Sequence, residues 1–312
     1  MSGVNAAALY AEGQAILDGP DPGRGLVRAL GLIDAAAAGG HADAIERRAL
    51  FECSGLGRPI DWNRALDSLT AAAELGSRSA ARQLTLLADG RFEASAPKSR
   101  DWAEMRTRIA TADLFKERGG RVLSPEPLVV TLQEIADAAE RQWLIASAKP
   151  RLQRAMLYTN PPRPDPGRTN QSAWFTIQHL DLVVELVRAR IAAAIGVPLP
   201  FLEIAQVLHY NPGDTFGLHC DFLTPEKMAA QIAQAGQRRT TVIVYLNDDY
   251  EGGETSFPDL GISHRGRAGD ALAFTNVDRG GLPDLRTKHA GMPPTRGEKW
   301  VFSQWVRDRA PG

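Results

Sequence analysis

The chain carries six histidines, and one of them, His219, stands in the run His219-Cys220-Asp221 at the end of a predicted strand. Side chains at positions i and i+2 of a strand leave the same face. The imidazole and the carboxylate therefore emerge side by side, with Cys220 turned away. His289 lies on a much later predicted strand and can face them across a barrel. Two imidazoles and one carboxylate on one face of a metal leave its other positions open. That set suits a non-haem Fe(II) that must also bind a cosubstrate and O2. His219, Asp221 and His289 are the candidate catalytic and metal-binding residues.

A His-x-Asp run arises often by chance, so the residues around it matter. Lys299 follows His289 by ten residues on the last predicted strand, where a cation can bind the distal carboxylate of a keto-diacid whose other end chelates iron. Trp305 is six residues further on, an even offset that puts both side chains on one face. Tyr210 ends the strand before His219, and Thr241 opens the run Thr241-Val242-Ile243-Val244-Tyr245-Leu246; either hydroxyl can bond to the same carboxylate. Taken singly, each reads as an ordinary strand or core residue. In order around one His-x-Asp…His frame, Lys299, Tyr210, Thr241 and Trp305 read as a cosubstrate pocket.

The elements that must position these residues follow Pro200, where the pattern turns to short strands near 204–210, 215–221, 240–246, 254–257, 262–265, 271–274, 288–291 and 299–306. Short strands separated by Gly and Pro turns predict a double-sheet jelly roll or a barrel. Gly252-Gly253 supplies a turn of unusual φ before a strand, and Gly269-Asp270 a hairpin turn. Helices precede the sheet instead of alternating with it, so the fold class is α+β. The spacing predicts helices over 102–117, over 131–148 with Thr131 as N-cap and Glu134 closing a capping box, and over 180–195 with a stop at Gly196. The Pro-rich run 159–167 can be neither helix nor central strand. It and the segment 223–237 are candidate lids over the pocket.

The first hundred residues are Ala-rich, helical in pattern, and repeat. Ala8, Ala44 and Ala80 are 36 residues apart, as are Gly40 and Gly76, Ala29 and Ala65, Leu30 and Leu66, and Ile33 and Leu69. A period of this size with small residues at fixed positions signals stacked helical hairpins. The expected organisation is an N-terminal α-helical repeat domain over residues 5–98, a linker over 99–121, and a catalytic jelly roll with supporting helices over 122–308.

Two resemblances sharpen this reading. Residues 5–98 resemble the Sel-one-like relatives of the tetratricopeptide repeat. The run Gln206-Val207-Leu208-His209-Tyr210-Asn211-Pro212-Gly213 through His219-Cys220-Asp221-Phe222 resembles the prolyl 4-hydroxylase family of 2-oxoglutarate dioxygenases. So do Val244 to Asp248, Glu251 to Pro258, Gly269 to Phe274, His289 to Pro293, and Gly297-Glu298-Lys299-Trp300. The resemblance implies a double-stranded β-helix, Fe(II), 2-oxoglutarate, O2 and ascorbate as reductant. It implies iron on His219, Asp221 and His289, and the cosubstrate carboxylate on Lys299 with Tyr210 and Thr241. Arg168-Thr169 followed by Ser172 is similar to the family's peptide-binding segment, although Asn170-Gln171 interrupts it. Asp221 in place of Gly argues against halogenation. The expected reaction hydroxylates a C–H bond, that of a prolyl residue in a protein or peptide, and yields succinate and CO2. The protein or peptide partner is expected to dock on the repeats.

Composition narrows the alternatives. With 36 basic and 37 acidic residues, the net charge of −1 gives no whole-chain attraction to nucleic acid or to an anionic membrane. No run approaches the roughly 18 apolar residues of a membrane helix, and the start Met1-Ser2-Gly3-Val4-Asn5 lacks the basic and apolar regions of a signal peptide. Two distant cysteines, Cys53 and Cys220, fit a reducing cytoplasm. The rival readings are the same chemistry on a free amino acid or small molecule, a cupin-type structural metal site that would not need Lys299, and a non-catalytic repeat scaffold with an idle jelly roll. An intact His219, Asp221, His289 and Lys299 set stands against the last two.

Overall fold

A computed structural model describes residues 5–19, 22–97, 100–116, 118–154, 156–157 and 163–310. The chain divides into two compact units. One comprises Met1–Lys116 with Thr176–Val187, the other Glu117–Phe175 with Arg188–Gly312. The segment Thr176–Val187 thus groups with the N-terminal helices, although it lies inside the span expected for the catalytic domain.

The first unit holds the helices Ala6–Leu17, Pro22–Ala38, Ala42–Ser54, Trp62–Glu74 and Arg78–Asp89. The 36-residue period is visible in its turns. His41 N–H donates to Ala36 O and Gly40 N–H to Ala37 O; Ser77 N–H donates to Ala72 O and Gly76 N–H to Ala73 O. Gly40 and Gly76 both have positive φ, 82° and 94°, which lets each helix end in the left-handed cap that glycine adopts without strain. The next helix then starts on a side-chain cap, from His41 in one repeat and Ser77 in the other. Of the repeated apolar positions, Ala29, Ala65, Leu66, Ile33, Leu69, Ala44 and Ala80 are fully buried and Leu30 is buried, whereas Ala8 is exposed. Beyond the array, the helix expected over 102–117 is two short pieces, Trp102–Thr107 and Thr111–Leu114.

In the second unit the described residues form an antiparallel eight-stranded sheet. Its order is Gly120–Pro125, Leu128–Leu132, Ala271–Thr275, Arg238–Tyr245, Lys299–Arg307, Gln206–Tyr210, Gln171–Trp174 and Gln153–Arg154. A four-stranded sheet runs Ile262–His264, Thr255–Phe257, His289–Gly291 and Phe216–His219. Val129, Leu208, Tyr210, Tyr245, Leu272, Phe274 and Val301 from the large sheet pack with Phe257 from the small one. Two facing sheets around one apolar core are the jelly roll the turn spacing predicts. Alternate residues of the large sheet point into that core, which aims Tyr210, Thr241, Lys299 and Trp305 toward the small sheet.

One helix begins later than its sequence predicts. Thr131 is not an N-cap: it lies in the strand Leu128–Leu132, paired with Arg121 on one side and Leu272 on the other. Glu134 has φ 51°, a left-handed backbone that no third helical residue can adopt. The helix is Ala138–Ala148, capped by Asp137, and Asp137 and Glu140 make both bonds of the capping box. The same capping signal occurs twice within ten residues. Burial of Val129 and Leu132 in the sheet decides which copy is used. The strand Gly120–Pro125 also starts inside the expected linker. The helix predicted over 180–195 is observed as Leu182–Ala194, with Gly196 at φ 68°. Of the two candidate lids, residues 159–162 of the Pro-rich run lie outside the described residues, and 223–237 contains the helix Pro225–Ala235.

Candidate active site

His219 and His289 sit opposite each other in register on the neighbouring strands Phe216–His219 and His289–Gly291. Their side chains therefore meet, with ring centroids 4.3 Å apart. His219 ends its strand, so Asp221 stands two residues past the ladder and not on it as expected. It reaches the histidines all the same. Asp221 Oδ1 is 3.5 Å from His219 Nε2, and Oδ2 is 3.6 Å from His289 Nε2. Among the described residues these three are the one group of His, Cys, Asp or Glu side chains able to share a metal, with ligand atoms all within 4.8 Å.

The surroundings fix the chemical form of each group. His219 Nδ1–H donates to Gly217 O at 2.8 Å and His289 Nδ1–H to Thr287 O at 3.0 Å. Both rings are thus held as the tautomer whose Nε2 lone pair points inward. Burial pushes the His289 imidazole down to about 4, so it is neutral at neutral pH. Burial also pushes the Asp221 carboxyl up. The two imidazoles and the Thr241 hydroxyl outweigh that and hold it far below the usual carboxylate range. Two imidazole nitrogens and one ionised carboxylate oxygen fit Fe(II) by donor type and by spacing.

Lys299 and Tyr210 are cross-strand partners, and the Lys299 ammonium lies 4.9 Å from the Tyr210 ring centre. Lys299 is 2% exposed and donates to Gly253 O at 2.7 Å. Burial lowers its ammonium to about 8. Gly253, at φ 69°, brings its carbonyl to that ammonium; an added Cβ would stand 3.3 Å from Lys299 Cδ and nearer still to the Tyr250 ring. Lys299, Tyr210, Trp305, Thr241 and the three metal-site residues line one pocket. Thr241 is placed differently from its expected role. Its hydroxyl donates to Asp221 Oδ2 at 2.7 Å and accepts from Asn276 Nδ2 at 2.9 Å. The proton expected for a cosubstrate carboxylate is spent on the aspartate.

Of the expected peptide-binding residues, Arg168 stacks on Phe216, 4.3 Å from the ring centre, and bonds to Gln206 Oε1 at 3.2 Å. Both Phe216 and Gln206 line the pocket. Ser172 is buried opposite Leu208 and is not among the pocket-lining residues. Sequence reasoning missed four contributors, Gln206 among them. Phe216 stacks flat on His219, centroids 3.6 Å apart. Asn276 supports Thr241. Arg238, tied to Glu203 at 2.7 and 3.0 Å, lies 3.6 Å over the Trp305 ring. The even offset of Gln206 from Leu208 and Tyr210 carried a signal for its inward direction, whereas the Arg238 stack depends on the pairing of distant strands and left none.

A jelly roll that gathers two histidines and an aspartate between its sheets, with a buried lysine beside them, defines a non-haem iron oxygenase. A family model for the 2OG-Fe(II) oxygenase superfamily matches residues 205–307. Prolyl 4-hydroxylase 1 of Arabidopsis thaliana is 31% identical over 206 residues, 61% of this chain and 72% of that protein. The prolyl 4-hydroxylase subunit alpha-1 of Rattus norvegicus is 31% identical over 192 residues, 59% of this chain but only 35% of that subunit's length. The solved viral collagen prolyl hydroxylase of Paramecium Bursaria Chlorella virus-1 aligns with a TM-score of 0.46 and 24% identity, over 57% of this chain and 95% of that one. The chain belongs to the 2OG-Fe(II) oxygenase superfamily and is a dioxygenase that uses Fe(II), 2-oxoglutarate and O2.

Proposed function

We propose that this dioxygenase hydroxylates prolyl residues in a protein or peptide, with His219, Asp221 and His289 holding Fe(II) and Lys299 holding 2-oxoglutarate. The observation that carries the assignment of roles is the buried Lys299 ammonium in the same pocket as the three convergent metal ligands. The prolyl substrate is supported by the likeness to prolyl 4-hydroxylase 1 of Arabidopsis thaliana.

Fe(II), once bound, supplies the oxidative decarboxylation of 2-oxoglutarate to succinate and CO2 and the insertion of one oxygen atom into a C–H bond, with ascorbate as reductant. The chain's own residues prepare that chemistry. The Gly217 and Thr287 carbonyls orient the two imidazoles, and the Thr241 hydroxyl aims the Asp221 carboxylate. Lys299 Nζ exchanges its Gly253 carbonyl partner for the distal carboxylate of the cosubstrate, with the Tyr210 hydroxyl beside it. The Trp305 indole N–H, buried in the pocket wall and without a partner among the described residues, offers a donor to the bound molecules. Arg168, stacked over the Phe216 ring, is the candidate contact to the peptide.

The test compares a proline-containing polypeptide with free proline under Fe(II), 2-oxoglutarate and ascorbate. The expected result is one added oxygen on prolyl residues, with matching succinate. Better turnover of free proline would replace this reading with small-molecule hydroxylation. A polypeptide docked on the helices of residues 5–98 would be raised in local concentration at the pocket, provided that the array has a face to offer.

A further inference from the structure

We infer that the helical array already has its ligand, a piece of its own chain: the face made by Ala6–Leu17, Ala42–Ser54 and Arg78–Asp89 clamps Thr176–Val187. Both sides of the clamp belong to the first unit. Arg47 is its centre. One guanidinium nitrogen donates to Ile177 O at 3.0 Å and Leu180 O at 3.3 Å, and the other to Gln178 O at 3.3 Å. Gln83 stands 36 residues further on, at the equivalent position of the next repeat. Its Oε1 accepts from Leu182 N–H at 2.9 Å. Its Nε2 is held by Glu46 Oε1 at 2.7 Å and by Ser79 Oγ at 3.2 Å. From the first helix, the Leu17 carbonyl accepts from Gln178 Nε2 at 2.6 Å. The repeat thus presents one position twice, once as a fork of donors and once as an acceptor.

What this face reads is backbone. Residues Ile177–His179 form a 3-10 turn; its Ile177 and Gln178 carbonyls and the Leu180 carbonyl just after it converge on Arg47, and the Leu182 N–H opens the helix Leu182–Ala194. An arginine fork is suited to several carbonyls at once because its donors are fixed in one plane. The side chains that follow, Leu182, Val183, Val184, Leu186 and Val187, are all fully buried. The space left between array and segment is about 260 Å³, walled by Asp43, Glu46, Arg47, Ser79, Gln83 and Asp181. A cavity that small and polar suits water and leaves no room on this face for a second chain. The array is therefore an internal clamp that completes the fold, and a polypeptide substrate is recruited elsewhere.

The experiment follows amide exchange by mass spectrometry in the full-length protein, comparing wild type, Arg47→Lys, Gln83→Ala and the double variant Arg47→Ala/Gln83→Ala. Loss of several hydrogen bonds should speed exchange in residues 177–187 on the order of tenfold or more in the double variant. Arg47→Lys and Gln83→Ala should give smaller increases. Exposed Arg28→Ala should leave that segment unchanged. Should the double variant not fold, the two milder variants carry the same comparison. Unchanged protection of residues 177–187 would overturn the clamp. So would a raised KM for a proline-containing polypeptide with protection intact, because the face would then be docking substrate from outside. Exchange requires no turnover, so the result stands apart from whether prolyl residues are the substrate.

Discussion

Thr241 donates its hydroxyl proton to Asp221 Oδ2 at 2.7 Å. A hydrogen bond to a charged group contributes about 1.5–3 kcal/mol, and outer partners of metal ligands tune affinity by roughly 10–100-fold. Thr241→Val keeps the shape and removes the donor. It should weaken Fe(II) or Co(II) binding by about tenfold or more while leaving 2-oxoglutarate affinity of the metal-loaded protein nearly unchanged. Anaerobic titration calorimetry decides; a large loss of cosubstrate affinity alone would return Thr241 to the carboxylate role its sequence position predicts.

His219→Ala, Asp221→Ala and His289→Ala should each remove most metal binding and all coupled turnover, because each takes one of three donors from a site with no fourth candidate among the described residues. The check is stoichiometry of bound Co(II) together with succinate release. An Asp221→Ala protein that still consumed 2-oxoglutarate at the normal rate would show that the metal sits elsewhere.

Lys299 gives the pocket a pH dependence of definite sign. Its ammonium is lowered from the usual 10.5 to about 8 by burial. In the free protein it is charged below that value and neutral above it, while a bound carboxylate holds the proton on. Affinity for 2-oxoglutarate should be flat below about pH 7 and fall roughly tenfold between pH 7 and 9. The same group affects folding. The unfolded chain binds this proton up to 10.5 and the native chain only to about 8, so the stability penalty of burying Lys299 is full below 8 and relieved as pH rises from 8 to 10.5. Lys299→Met should abolish the pH dependence of binding along with most of the affinity. A wild-type affinity that does not change from pH 7 to 9 would contradict the assignment.

Asp137→Ala should cost about 1 kcal/mol through loss of the capping box, seen as faster exchange at the Glu140 and Arg141 amides. Thr131→Ala, by contrast, should leave that helix untouched. Equal effects of the two substitutions would mean that the helix begins earlier than Ala138.

The parts of the molecule legible in the sequence are those set by local chemistry. The repeat showed because Gly40 and Gly76 must close the same turn, and His219, His289 and Lys299 showed because strand alternation fixes where they point. The parts that were not legible depend on pairing between distant segments. Thr131 carried a good cap signal, but its neighbours Val129 and Leu132 were needed in the sheet. Thr241 was correctly placed in the pocket, yet its partner was set by where the chain turns after His219, which alternation does not encode. Arg47 gave no signal at all, since its carbonyl partners lie more than a hundred residues away.

The strand Lys299–Arg307 follows both of its neighbours in the chain but lies between them in the sheet, paired with Gln206–Tyr210 on one side and Arg238–Tyr245 on the other. During synthesis those two strands leave the ribosome first and wait with open edges for the strand that joins them. Open edges on apolar strands invite pairing with other chains. Long-range antiparallel joining of this kind is slow compared with helix formation. The interval before residues 299–307 emerge is thus the period of greatest exposure to aggregation, whereas the helices of the array precede it in the chain and need only local contacts to form.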